Sequence, residues 1–213
     1  MNRVPTVVLV VGLALAVLTG SAFAFADFGA AQSATSVQSG VSTSATSDAT
    51  VDLSDGVYVY VAGETVADRE FEAELVETLR AEGIDASSVS EIRPTYDRPV
   101  LLVGHSAWNL NYTPVRADAS VDWTFLYVQT GNISQFGQTT FHSDDFAADR
   151  VLDRLTGEGF RPIVLTGPDQ VVVNGQLTLA DETTGVLSLP YYDRHVRDAV
   201  ATKTAESLVP DSF

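Results

Sequence analysis

The N-terminal segment divides this chain into a part directed to the membrane and a part that must fold elsewhere. Residues 4–26 form an uncharged, mostly apolar run, and Arg3 is the only basic residue before Arg69. Because basic residues beside an apolar segment stay on the cytoplasmic side, this asymmetry predicts export of everything that follows. The folded part of the protein is therefore expected after residue 26 and outside the cytoplasm.

Two interpretations of residues 1–26 stay open on sequence grounds. Residues 7–18 have the length of a signal-peptide core, and residues 21–26 contain two overlapping A-x-A cleavage sites. Residues 4–26 also suffice to cross the hydrocarbon core of a bilayer, which takes about 20 residues. The segment is thus predicted to be either a cleaved signal peptide or a transmembrane anchor. In both cases the membrane is its expected partner.

The composition excludes several classes of partner and site. Lys and Arg total 12 against 28 Asp and Glu, a formal net charge of −16 in 213 residues, and Lys203 is the only lysine. Such a chain repels nucleic acid, and an acid excess of this kind is typical of proteins from extreme halophiles. The absence of cysteine excludes disulfides, zinc–thiolate sites and cysteine nucleophiles. We expect no cofactor and a fold held together by its hydrophobic core.

Residues 27–51 are predicted to be a disordered stalk. Residues 30–50 consist almost entirely of Ala, Ser, Thr, Gln, Gly and Val, and Asp48 is their only charge. Such a segment does not bury enough apolar surface by itself to offset the loss of chain entropy.

Residues 52–213 are predicted to form one α/β domain. Residues 57–61 (VYVYV) have the composition of a buried strand, and Thr65 with Asp68 has the spacing of a capping box for a helix that ends at Gly83. The pattern also predicts strands at 100–103 and 162–166, an antiparallel pair within 115–130, helices from Ser143 and over 191–208, and a hairpin at Asn174-Gly175. This alternation predicts a mixed sheet flanked by about three helices, preceded by a hydrophobic helix and a disordered linker.

One segment partly resembles a catalytic motif. Residues 104–108 (GHSAW) follow a predicted buried strand and resemble the nucleophile elbow G-x-S-x-G of α/β-hydrolases, and the chain order Ser106, Asp169, His195 is the order of their triad. Trp108 stands where the second glycine belongs, and too little chain precedes Ser106 for the strands that the resemblance implies. A serine hydrolase using these three residues is therefore the alternative function, and hydrogen bonding of Ser106 to backbone is the simpler interpretation.

Other candidate sites follow from clustered residues. Trp108 and Tyr112 lie in a predicted polar loop, 104–112, at a strand end, which makes them the first candidates for binding. Export makes the sequons at Asn111 and Asn132 candidates for glycosylation. No metal site is expected. The alternative is a cation bound by His142, Asp144 and Asp145, but the favourable position of both aspartates in the first turn of a helix explains them without a metal. The sequence thus predicts a membrane-anchored or secreted, halophile-type surface glycoprotein with a binding or envelope role and no catalysis, whose protein or glycan partner the sequence does not identify.

Overall fold

A computed structural model of the protein describes residues 29–46, 50–138, 146–156 and 170–208. These residues form a single mixed α/β domain with a six-stranded sheet and four helices. The predicted signal peptide or anchor (1–26), the predicted strand at 162–166 and the predicted helix start at Ser143 lie outside the described residues. Within the described ranges, none of the helices has the length and apolarity needed to span a membrane.

Strands and helices are mixed along the chain, which confirms the predicted α/β class, but they do not alternate strictly. The strands are β1 (Gly29–Ala45), β2 (Val57–Val61), β3 (Ala86–Ser88), β4 (Val100–Thr113), β5 (Arg116–Val128) and β6 (Val171–Leu187). The helices are α1 (Val66–Ala81), α2 (Ser134–Gly137), α3 (Ala148–Thr156) and α4 (Leu189–Glu206). The sheet order is β1-β6-β5-β4-β2-β3; β2 pairs in parallel with β3 and β4, and the other pairings are antiparallel.

The β2–α1 unit forms as its sequence predicts. The capping box is present, because the Thr65 side chain accepts a hydrogen bond from the backbone of Asp68 and the Asp68 side chain accepts one from the backbone of Thr65. Phe71, Leu75 and Leu79 point into the core. Gly83 follows the helix with a φ of 83°, a left-handed conformation that glycine adopts without strain.

The two faces of the sheet are covered differently. Helices α1 and α4 pack on one face, over a core that includes Trp123, Phe125 and Tyr127 of β5. Helices α2 and α3 cover only part of the other face, near the start of β4. Gly104 permits the close approach of α3, since a Cβ atom there would lie 2.7 Å from Leu155 Cβ.

The predicted disordered stalk is wrong for Gly29–Ala45, which form β1. This strand pairs with β6 over 17 residue pairs in an unbroken antiparallel register. Its sequence lacks the apolar content to fold alone, but the neighbouring strand supplies backbone partners and the core accepts one row of its side chains, including Val37 and Val41. Thr46 also pairs through its backbone with Gln170.

The hairpin predicted at Asn174-Gly175 is wrong, because both residues lie inside the continuous strand β6, between β1 and β5. Packing explains this glycine, since a Cβ atom on Gly175 would lie 2.4 Å from Cε1 of Phe125. The antiparallel pair predicted within 115–130 is instead the single strand β5, paired with β4 and β6.

The polar loop predicted at 104–112 is also wrong. Strand β4 runs on to Thr113, and its register against β5 shifts between His105 and Ala107. Ser106 is the inserted residue of this bulge. A bulge keeps the strand paired while changing the direction of its side chains, so the glycine and polar residues here do not end the strand.

Candidate functional site

A buried carboxylate joins the first and last of the described elements. Asp181 of β6 has a side chain that is 1% exposed. Its Oδ1 accepts a hydrogen bond of 2.5 Å from Thr35 Oγ1 of β1, and its Oδ2 accepts one of 2.8 Å from Thr183 Oγ1. His195 Nε2 of α4 lies 3.3 Å from the same Oδ1. Side chains of β1, β6 and α4 therefore all contact the carboxylate of Asp181.

The contacts of this cluster fix the protonation of its members. Burial raises the pKa of Asp181, but the hydrogen bonds from His195, Thr35 and Thr183 outweigh it and hold the pKa at about 2. The bond to Asp181 raises the pKa of His195 against the opposing effect of burial. Burial and the nearby carboxylate raise the pKa of Tyr192. The cluster is a structural ion pair at mildly acidic pH.

A second histidine–aspartate pair lies at the start of α1. His105 Nε2 is 2.9 Å from Oδ1 of Asp68, whose side chain is 8% exposed. Burial raises the pKa of Asp68, and the bonds from Thr65 and His105 outweigh it, so the pKa is lowered. The ring of Trp108 stands edge-on to His105 and packs against Phe71, each with 5.7 Å between ring centroids. The carboxylate of Asp68 therefore contacts both the N-terminal cap of α1 and His105 at the bulge of β4.

The structure does not bring Ser106 and His195 together. The Ser106 hydroxyl is exposed and donates to the backbone carbonyl of Asp122 at 3.5 Å, which agrees with the simpler interpretation of this residue. The imidazole of His195 is engaged by Asp181. Asp169, the third member of the predicted triad, lies outside the described residues.

The other predicted site residues are placed as follows. His142, Asp144 and Asp145 lie outside the described residues, and within the part of the chain that the structure describes no three His, Asp or Glu side chains are grouped to hold a metal ion. The loop that motivated Trp108 and Tyr112 as binding residues is a strand. Both are half-buried against the core, and the Tyr112 hydroxyl donates to the Leu187 carbonyl at 2.7 Å.

Both sequon asparagines are exposed. Asn111 lies on β4 instead of in a loop, and its Nδ2 donates to Asp118 Oδ2 at 2.8 Å. Asn132 lies in the turn before α2, where its Oδ1 accepts hydrogen bonds from the backbone N–H and the hydroxyl of Ser134.

The face opposite α1 and α4 carries a polar surface that the sequence reading missed. Polar or small side chains line up in rows across four paired strands, and we call this surface the polar sheet face: Asn109, Asn111, Asp118, Ser120, Asp122, Thr178, Ala180, Glu182, Ser36 and Gln38. All are exposed or half-buried. The surface is about 14 Å wide, since three gaps of about 4.8 Å separate four strands.

Side-chain hydrogen bonds connect neighbouring strands on the polar sheet face. Thr178 Oγ1 of β6 donates to Asp122 Oδ1 of β5 at 2.6 Å, and the Asn111–Asp118 bond joins β4 to β5. Glu182 at its rim pairs with Arg116 at 3.0 Å. The face therefore presents hydroxyl, amide and carboxylate groups on strands that are connected by hydrogen bonds. In the sequence, the only sign of this surface was the row of polar residues that alternate with apolar ones along β5. That row indicates a surface only once the neighbouring strands are known.

Comparison with known proteins gives no family assignment. Neither a family model nor a curated protein matches the chain. Two solved structures align with it: a methionine variant of the PelC dodecamer from Paraburkholderia phytofirmans, at 18% identity over 80% of this chain and 97% of that chain, and the PelC dodecamer in another crystal form, at 16% over 80% and 96%. The TM-score is 0.36 in both cases.

Proposed function

We propose that this protein is an extracytoplasmic surface domain, held at the membrane by residues 1–26 or released from it, that binds an envelope glycan through the polar sheet face. The observation that carries the proposal is the ordered, exposed array of hydroxyl, amide and carboxylate groups on four strands. These groups both donate and accept hydrogen bonds, as a hydroxyl-rich polymer requires.

The shape and charge of the face favour a polymer over a small ligand. Small molecules are bound in concave, mostly apolar pockets, whereas this surface is an extended sheet face. Its charged members, Asp118, Asp122 and Glu182, are all acidic, and Arg116 at the rim is already paired with one of them. A neutral or cationic polar chain therefore fits better than an anionic one.

Catalysis is not part of the proposal. The alternative, a serine hydrolase, needs the Ser106 hydroxyl within hydrogen-bond reach of an imidazole nitrogen. Instead, the Ser106 hydroxyl bonds the backbone carbonyl of Asp122, while Nε2 of His195 bonds Asp181. The alternative predicts labelling by a serine-directed probe that is lost in Ser106→Ala, and such labelling would contradict the proposed role.

A pair of matched variants tests the binding face. Ser120 is exposed in the middle of the polar sheet face, and Ser90 is exposed in the loop after β3. The purified full chain is titrated with deproteinised glycan from the envelope of its source cells. We expect Ser120→Arg to weaken binding at least tenfold, because its long side chain covers the face, while Ser90→Arg binds as the native chain does. Equal effects of the two changes, or no glycan binding at all, would contradict the proposal.

Labelling of intact cells tests the location. The chain contains no cysteine, so Ser120→Cys introduces a single thiol. A membrane-impermeant maleimide should label it in intact cells, and the buried Ala119→Cys should stay unlabelled. Labelling of Ser120→Cys only after cell lysis would place the domain in the cytoplasm and refute the location.

A further inference from the structure

The outer edge of β1 is the feature of this fold that most calls for a partner. Among the described strands, β1 ends the sheet at the side away from β3. It is 17 residues long, pairs with β6 without a bulge, and contains no charged residue and no proline. Edge strands normally carry charges, prolines or bulges, or are short, because their free backbone groups otherwise pair with another strand. This edge has none of those protections.

The charge distribution points to a second copy of the same chain as the partner. The protein has a formal net charge of −16, so two copies repel each other over most of their surfaces. Residues 29–45, which form this edge, contribute nothing to that charge, because they contain no ionisable side chain. When two copies meet along β1, the paired strands bring no like charges together. The backbone N–H and C=O groups at the outer edge of each strand find hydrogen-bond partners on the other strand.

The two valines of β1 select a register for this pairing. Val37 and Val41 lie on the helix-covered side of the sheet and are only half-buried, with no further strand beside them among the described residues. In an antiparallel pair with its two-fold axis at Ser39, Val37 of each copy lies opposite Val41 of the other. In this register each valine packs against a valine of the other copy, which covers its exposed side.

We propose that two copies of this protein associate edge to edge through antiparallel pairing of β1, with Ser39 of one copy opposite Ser39 of the other. The pairing joins two six-stranded sheets into one continuous sheet. It extends over residues 33–45 and forms about one backbone hydrogen bond per residue, which is comparable to the roughly ten direct hydrogen bonds of a typical protein interface.

Single cysteines in the full chain test both the association and its register. Directly opposed residues of antiparallel strands have Cα atoms about 4.5 to 5.5 Å apart, a separation that suits a disulfide. We expect Ser39→Cys to form a disulfide-linked dimer under mild oxidation of native membranes. Gln32→Cys is the matched control: it is exposed on the same strand, but its two copies would lie about 48 Å apart in this register.

The outcomes are distinct. A cross-linked dimer of Ser39→Cys with none of Gln32→Cys supports the proposal. Equal cross-linking of both variants indicates random collision or parallel pairing and refutes it, as does the absence of any dimer of Ser39→Cys. A Ser39→Asp chain should in addition fail to associate with itself but associate with a Ser39→Lys chain, whereas Ser39→Asn should associate as the native chain does. Loss of glycan binding without loss of cross-linking would refute only the proposed function.

Discussion

The buried ion pair of Asp181 and His195 makes a specific prediction for the pH dependence of stability. The pKa of Asp181 falls from 3.8 to about 2 on folding. Since a tenfold change in an acid constant is worth about 1.4 kcal/mol, the ionised carboxylate stabilises the folded state by roughly 2 kcal/mol. Asp181→Asn keeps the shape of the side chain and the acceptor oxygen for Thr35 but removes the charge. We expect it to lower the free energy of unfolding by roughly this amount.

The sign of each shift sets the pH window of this effect. A lowered carboxylate pKa gives stability that is present above the unfolded value of 3.8 and is lost as the pH falls towards 2. A raised histidine pKa gives stability that is complete below the ordinary value of 6.5 and is lost as the pH rises through the folded value. The difference between the native chain and Asp181→Asn should therefore be largest between about pH 4 and 6.5 and decrease on both sides.

Guanidinium unfolding of both chains between pH 2.5 and 8, at constant high ionic strength, measures this difference. Asp153→Asn on the exposed side of α3 makes the same chemical change without a buried partner and should alter stability by less than about 0.5 kcal/mol. If Asp181→Asn is as stable as the native chain at pH 5.5, or if the two curves stay parallel over the whole range, the assignment of a buried, hydrogen-bonded charge is wrong.

Three further predictions concern packing and surface charge. Thr204→Val should cost about 1 to 3 kcal/mol in thermal or chemical unfolding, because the buried Trp123 Nε1–H loses its acceptor at 3.0 Å, while Thr204→Ser should restore most of this loss. Gly104→Ala should cost about 1 to 3 kcal/mol by forcing Leu155 away, whereas Gly40→Ala, with its nearest atom at 3.8 Å, should unfold like the native chain. The acidic surface predicts loss of circular dichroism when salt falls to tens of millimolar, as carboxylates repel over a Debye length of about 20 Å; an unchanged spectrum would argue against a halophilic origin.

Local sequence patterns predicted the elements whose determinants are themselves local. The capping box of Thr65 and Asp68 needs only four residues, and the apolar stripe of α1 needs only its own helix. Helix α4 was predicted within two residues of its observed start, and its N-cap is Ser188. These features do not depend on which strand lies beside which.

The errors at the stalk and at the predicted hairpin concern strands whose neighbours lie far along the chain. Residues 29–45 have a disordered composition and become a strand because β6 lies beside them. Asn174-Gly175 has the best local turn sequence in the chain, but a packed Phe125 ring and two flanking strands override it. Neither influence is visible within a short window of sequence. The polar sheet face escaped prediction for the same reason, since its rows exist only after four strands are aligned.

The pairing of β1 with β6 also sets an order of events during synthesis. Thr35 and Asp181, which share a hydrogen bond, are separated by 146 positions in the chain. Of the described strands, β1 leaves the ribosome first and is consequently among the last to find its neighbour, and long loop closures of this kind are slow. Until β6 has emerged, the nascent chain carries an uncharged strand that lacks its sheet neighbour, and premature pairing of this strand with other chains must be avoided during synthesis.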